Sequence, residues 1–314
     1  MKKPSGSPRK ATAKAPAAPG RSGRVHPVVI YPFRHPADHA DLVALYELVG
    51  RLDADRSRYA RPITVMDRKT RHAAAHLPGF EEFRRQTVAG CSDILDAWCV
   101  DTCQMWYTGL GHAYDLGSPD DIYWLIPGDF NYGTPVGQQV LSHLHDLPEI
   151  IEELDQDICV GEIATDHGNP KQLIDTHGTF ALLYTWFPAE AREIRSLTER
   201  PRSEFFAIRH AFLGEALHER WYAYEQTMVM LLKGVLGRRR ISRFSVGEIT
   251  DLPEGRESYA SAVQQVERTE QVLKSLWRER NQHLRDWPEQ YAQLETKSAE
   301  VRRAAVTVLR NLLA

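Results

Sequence analysis

The segment Asp121-Ile-Tyr-Trp-Leu-Ile-Pro-Gly-Asp129-Phe-Asn-Tyr132 constrains the fold of this chain more than any other. Its first half is β-branched, aromatic and apolar without alternation, the composition of a strand buried on both faces. Pro127-Gly128 breaks the strand and presents Asp129 at its carboxyl end. A helical pattern follows from Pro135, with Val136, Val140, Leu141, Leu144 and Leu147 as its apolar positions. In an open α/β sheet, ligands bind just outside the carboxyl ends of the strands. An acid on that lip is a natural ligand for a divalent cation carrying phosphates. The plainer alternative is an Asp that only caps its loop.

The rest of the chain repeats this alternation. Residues 25–33 read as a first strand, and 34–38 as a turn into a helix with Leu42, Leu45, Leu48, Val49 and Leu52 apolar. Residues 62–66 are a second short strand that delivers Asp67-Arg-Lys-Thr70 to its carboxyl end. Strand, helix, strand in this order predicts a right-handed parallel unit. Residues 80–95 read as a helix, and 97–100 either as a third strand or as part of a helix running on to Tyr107. Beyond the central strand, 157–161 is another strand. Residues 171–187 form a long helix interrupted by the polar run Asp175-Thr-His-Gly-Thr179, which lines a cleft or marks a kink. Residues 202–208 are compact and aromatic, 211–234 helical, and 238–247 alternate like an edge strand.

From Ser258 onward, helical spacing predicts two helices broken near Trp287-Pro288. Val263, Val266, Val272, Leu273, Leu276 and Trp277 give the first an apolar side that must be buried. The chain's own body is the expected cover, with a homodimer through these helices as the alternative. A peripheral membrane contact is least favoured, because the polar face is of mixed charge.

Composition narrows the function classes. Residues 1–24 carry Lys2, Lys3, Arg9, Lys10, Lys14, Arg21 and Arg24 with no acid, so the body is more acidic than the net charge of -3 suggests. An acidic body argues against a specific nucleic-acid partner. The basic segment is too poor in large apolar groups to offset its ordering entropy and reads as a disordered tail. The four cysteines have neither CxxC nor disulfide-framework spacing, so reduced thiols in a cytoplasm are expected. No apolar run approaches the roughly 20 residues that span a bilayer. The chain therefore divides into a tail (1–24), a sheet domain (25–250) and a helical C-terminal extension (255–314).

Short buried strands alternating with helices, acids at strand ends and a late helical segment resemble a GT-A glycosyltransferase. The pattern is similar to the inverting family-2 enzymes, such as the polyprenyl-phosphate mannosyltransferases. That resemblance implies an α/β fold with a mostly parallel sheet flanked by helices. It also implies transfer of a sugar from a nucleotide-diphosphate sugar to an unknown acceptor, assisted by Mg2+ or Mn2+.

Residue by residue, the first strand would end at the nucleotide site through Pro32 and Arg34. Asp67 and Arg68 match the acidic turn that contacts the base, and Gly109-Leu-Gly111-His-Ala resembles a glycine-containing helix start. Pro127-Gly-Asp129 stands where the family has Asp-x-Asp; the first acid is missing and Asp129 alone would hold the metal. Arg202-Ser203-Glu204-Phe205 resembles the acceptor-side loop. Tyr222 and Glu225 fall where the family has an acid at a helix start.

The chemistry is coherent with these positions. The leaving diphosphate develops negative charge that a cation must stabilise, and Arg34, Arg68 and Lys69 add positive charge on neighbouring strand ends. Glu225 is the candidate base for the acceptor hydroxyl; Trp221 and Tyr222 share its helix face and would desolvate it, which suits a base working near neutral pH. Two rival classes stand beside this one. His143, His145, Asp166, His167, Asp175 and His177 suggest a metal-dependent hydrolase, although residues two apart on a helix do not share a face. The lost first Asp suggests a nucleotide-sugar-binding protein without turnover.

Overall fold

The structure, a computed structural model, describes residues 23–31, 39–66, 72, 75–86, 102–128, 134–164, 170–217, 225–248 and 259–313. Among these, one six-stranded sheet organises the chain: β1 (Val25–Tyr31), β2 (Ile63–Met66), β3 (Ile122–Pro127), β4 (Ile158–Ala164), β5 (Phe206–Arg209) and β6 (Ile241–Glu248), in the order β2-β1-β3-β5-β4-β6. Neighbours run parallel except β5, which is antiparallel to both β3 and β4. The helices are α1 (His39–Ala54), α2 (Phe80–Gln86), α3 (Thr102–Leu116), α4 (Pro135–Leu144), α5 (Asp146–Glu153), α6 (Pro170–Ile174), α7 (Phe180–Trp186), α8 (Pro188–Leu197), α9 (His210–Ala216), α10 (Glu225–Leu236), α11 (Tyr259–Asn281) and α12 (Trp287–Leu313).

β3 is fully buried, as its sequence demands. Side chains alternate between two apolar layers. Tyr123 and Leu125 join Val28, Val65 and Phe206 under α3, α7 and α10. Ile122, Trp124 and Ile126 join Val29, Met66 and Ala207 under α1, α4 and α5. Pro127 still belongs to the strand, so the chain leaves the sheet at Gly128, whose amide donates to the Ile30 carbonyl at 2.6 Å. Thr134 caps α4 by accepting from the Gly137 amide at 3.1 Å, with Pro135 at the first helical position. Of the apolar positions expected to face inward there, Val136 instead stands 50% exposed.

The long helix expected over 171–187 is present as α6 and α7, joined without a gap by a π-helical turn at the polar run Asp175–Thr179. Two sequence expectations are corrected. The helix expected over 211–234 is two, α9 and α10, with 218–224 outside the described residues. The glycine-containing helix start expected at Gly109 is the middle of α3. A Cβ at Gly109 would lie 2.8 Å from a Val28 methyl and 2.9 Å from a Val65 methyl, whereas one at Gly111 would meet nothing within 4 Å. Gly109 lets the helix approach β1 and β2; Gly111 has no such packing reason.

The two glycines should therefore respond oppositely to alanine. Gly109→Ala is expected to destabilise, overpacking costing about 1–3 kcal/mol against about 1 kcal/mol gained in helix propensity. Gly111→Ala should gain up to about 1 kcal/mol. Denaturant midpoints of the two variants measure this, and a stabilised Gly109→Ala would refute the packing account.

At the edge where the parallel strands begin, Asp121 accepts from His26 Nε2 (2.8 Å) and from the amides of Arg24 (2.8 Å) and Ser118 (2.8 Å). Burial holds the His26 imidazole neutral, below its usual pKa, and outweighs the pull of Asp121. The unfolded chain thus binds this proton more tightly, so stability is full above the ordinary value of 6.5 and falls as pH drops below it. His145, partly buried, is shifted the same way by desolvation. Melting temperature should therefore fall between about pH 7.5 and about pH 5. His26→Gln, which keeps a donor for Asp121, should make that decline shallower; an unchanged slope would remove His26 from the account.

Candidate functional site

Because every strand but β5 runs the same way, β1, β2, β3, β4 and β6 all end on one edge of the sheet, at Tyr31, Met66, Pro127, Ala164 and Glu248. That edge is where an open α/β sheet binds ligands. Just past these ends, the sequence places Pro32, Arg34, Asp67, Arg68, Lys69, Asp129, Asp166 and His167, all outside the described residues, as is Tyr222.

β5 enters from this same edge. Residues 201–205 lead into it, and Phe206 pairs with Leu125 near the end of β3. This loop, expected on the acceptor side, is fastened from three directions. The Ser203 hydroxyl donates to the Gly161 carbonyl at 3.0 Å, and the Gly161 amide donates to the Phe205 carbonyl at 2.8 Å. A Cβ at Gly161 would lie 2.7 Å from the Phe205 Cβ, so only glycine allows the loop this close to β4.

Arg202 points inward. Its Nε donates to Asp175 Oδ1 at 2.5 Å and its Nη1 to Gln265 Oε1 on α11. Arg202 and Asp175 are 7% and 2% exposed. Arg202, Ser203 and Phe205 are buried, and Glu204 alone of these four is partly exposed. Gln265 was not apparent from the sequence; the signal that did exist was Asp175, an acid inside an apolar helical run.

Glu225 opens α10, as expected of an acid at a helix start, and is wholly buried together with Gln226 and Thr227. Gly109 and Gly111 belong to α3, which runs directly into the turn before β3, at the edge opposite the strand ends. Neither forms the expected nucleotide-facing helix start.

Among the described residues the histidine-rich segments form no shared cluster, and Asp166 and His167 lie outside those residues. His143 Nδ1 donates to the Val246 carbonyl at 3.2 Å, while His145 lies against Trp124 and 3.4 Å from the Tyr59 hydroxyl. Asp175 is occupied by Arg202. Among the described residues no three His, Cys, Asp or Glu side chains come together as a metal site, and no helix is long and apolar enough to cross a membrane.

No protein-family model matches the sequence, and no curated protein matches it. Solved structures do match the fold. Mannosyl-3-phosphoglycerate synthase from Rubrobacter xylanophilus superposes with a TM-score of 0.50 over 82% of this chain and 76% of that one, at 14% identity. Glucosyl-3-phosphoglycerate synthase from Mycobacterium tuberculosis, crystallised with Mn2+, UDP and phosphoglyceric acid, gives 0.48 over 79% and 78%, at 12% identity. The first likeness establishes the fold as α/β of the GT-A type, with a helical C-terminal region.

Proposed function

We propose that this chain transfers a sugar from a nucleoside-diphosphate sugar to a hydroxyl acceptor. The observation that carries the reading is the GT-A-type sheet, whose parallel strands end together where the sequence turns to acids and cations. The likeness to polyprenyl-phosphate mannosyltransferases within this class rests on the sequence motifs alone.

In this reading Pro32, Arg34, Asp67, Arg68 and Asp129 form the nucleotide-sugar side. A divalent cation on Asp129, Mg2+ or Mn2+, would neutralise charge developing on the leaving diphosphate. Arg34, Arg68 and Lys69 follow neighbouring strand ends and would share that task. Glu204, on a loop that Ser203 and Phe205 hold against β4, and Tyr222 form the acceptor side. Glu225 would take the proton from the acceptor hydroxyl as it attacks.

The test is a thermal-shift panel of UDP, GDP, UDP-glucose and GDP-mannose, with and without Mn2+ or Mg2+. A ligand about 1,000-fold above its dissociation constant should stabilise the fold by about 4 kcal/mol. Asp129→Asn should abolish the metal-dependent part of that shift and leave the ligand-free melting temperature unchanged. No shift with any nucleotide would sink the transferase reading. Binding without release of nucleoside diphosphate would favour the inactive binding protein.

A further inference from the structure

The pair Asp175–Arg202 has no role in the reading above, yet it is an unusual thing for a fold to keep. Two opposite charges lie almost wholly out of solvent, with Nε and Oδ1 2.5 Å apart. Burying such a pair is seldom stabilising compared with apolar residues of the same size, so its retention calls for a geometric reason. The acid sits at the first residue of a π-helical turn, a backbone irregularity that re-aims side chains and is frequent at functional sites. Thr179 also donates to Asp175 Oδ1, at 3.3 Å. The turn is pressed against α11: a Cβ at Gly178 would lie 2.6 Å from a Val266 methyl. Gln265, the residue before Val266, takes the second arm of the Arg202 guanidinium.

All of this converges on the backbone of residue 202, two positions before Glu204. Arg202 is held by Asp175 and Gln265, Ser203 by Gly161 and Phe205 by Gly161. The loop has little freedom, and Glu204 is its partly exposed carboxylate beside the end of β3. We propose that Asp175 and Arg202 are positioning residues for Glu204, which presents its carboxylate to the hydroxyl groups of the acceptor at the strand-end lip. Arg202 itself does not touch substrate. Gln265 makes α11 part of this arrangement. The identity of the substrate rests on the transferase reading; the positioning of the loop does not.

Hydrogen exchange and kinetics test the two parts separately. Asp175→Asn strands a buried cation and is open to unfolding, so the main variant is the charge-free pair Asp175→Leu with Arg202→Met, which replaces the ion pair by apolar side chains of similar size. Exchange in the segment 201–209 should quicken at least about tenfold in this variant, with the segment spanning β1 unchanged. Equal exchange in 201–209 would overturn the positioning claim.

In turnover of UDP-glucose or GDP-mannose, whichever the wild type binds, the pair variant should lower kcat at least about tenfold and leave the KM for that donor unchanged. Glu204→Gln should reproduce that loss, and the triple variant should lose no more than either, as expected of residues acting as a unit. Additive losses would show that the pair does not act through Glu204. If the wild type binds neither nucleotide sugar, the transferase reading fails, and the exchange result alone decides whether the network positions the loop.

Discussion

Truncation at Gly255, which removes α11 and α12, is expected to yield a chain that no longer folds to a soluble monomer. α11 buries Val266, Leu273, Leu276 and Trp277, and each such side chain contributes about 1.5–3 kcal/mol. Together that is on the order of the whole stability of a domain. The contacts are specific as well as apolar. Trp186 on α7 lies 6.1 Å from Trp277 and 5.5 Å from Tyr291, ring centre to ring centre. Its indole N–H donates to the Ser298 hydroxyl at 2.9 Å, and Ser298 donates to Glu270 at 2.7 Å. Glu270, only 4% exposed, is matched by Lys274 at 3.4 Å and Arg302 at 3.0 Å. Losing the partners of Trp186 would leave a large aromatic face and unmet polar groups on α7. Size-exclusion chromatography and circular dichroism of the truncated chain decide the matter. A monomer that melts within a few degrees of full length would show that these helices are an appendage.

Glu225→Gln is expected to lower turnover of the nucleotide sugar by about 10²–10⁴-fold, the usual contribution of a general base. The substitution keeps size and hydrogen-bonding capacity, so donor binding by thermal shift should persist. The burial of Glu225 sharpens the distinction between roles. A structural carboxylate at a wholly buried helix start would, on substitution, lower the melting temperature and leave turnover per folded molecule unchanged. A lowered kcat with an intact fold and intact donor binding assigns the base. An acceptor already ionised at its attacking oxygen would need none, so the comparison belongs with a hydroxyl acceptor.

Much of the sheet was legible in local composition. The strands expected over 25–33, 62–66 and 121–126 are found at Val25–Tyr31, Ile63–Met66 and Ile122–Pro127, because a short apolar, β-branched run without alternation suits a strand covered on both faces. The candidate positions after their ends could be singled out for the same reason: Asp67 and Asp129 stand where a buried run stops. Glu204 and Glu225 could be singled out only by resemblance, since one acid near aromatic residues has no periodicity to identify its surroundings. The glycines of α3 misled, because glycine serves tight turns and close helix–sheet approach equally well. Val28 and Val65, which decide between the two at Gly109, are distant in sequence.

By itself the sequence determined the alternation of strands and helices, the edge at which chemistry is to be sought, and the need to bury one side of α11. Each follows from periodicity and composition, which are properties of neighbouring residues. Only the tertiary structure decided that β5 lies between β3 and β4 and runs against both; four residues, Phe206–Arg209, carry no mark of direction. It alone decided that Arg202 turns inward to an acid 27 positions away and an amide 63 positions away. Pairings of that range are chosen by how the completed layers pack, since a buried charge must find a partner wherever the fold has brought one.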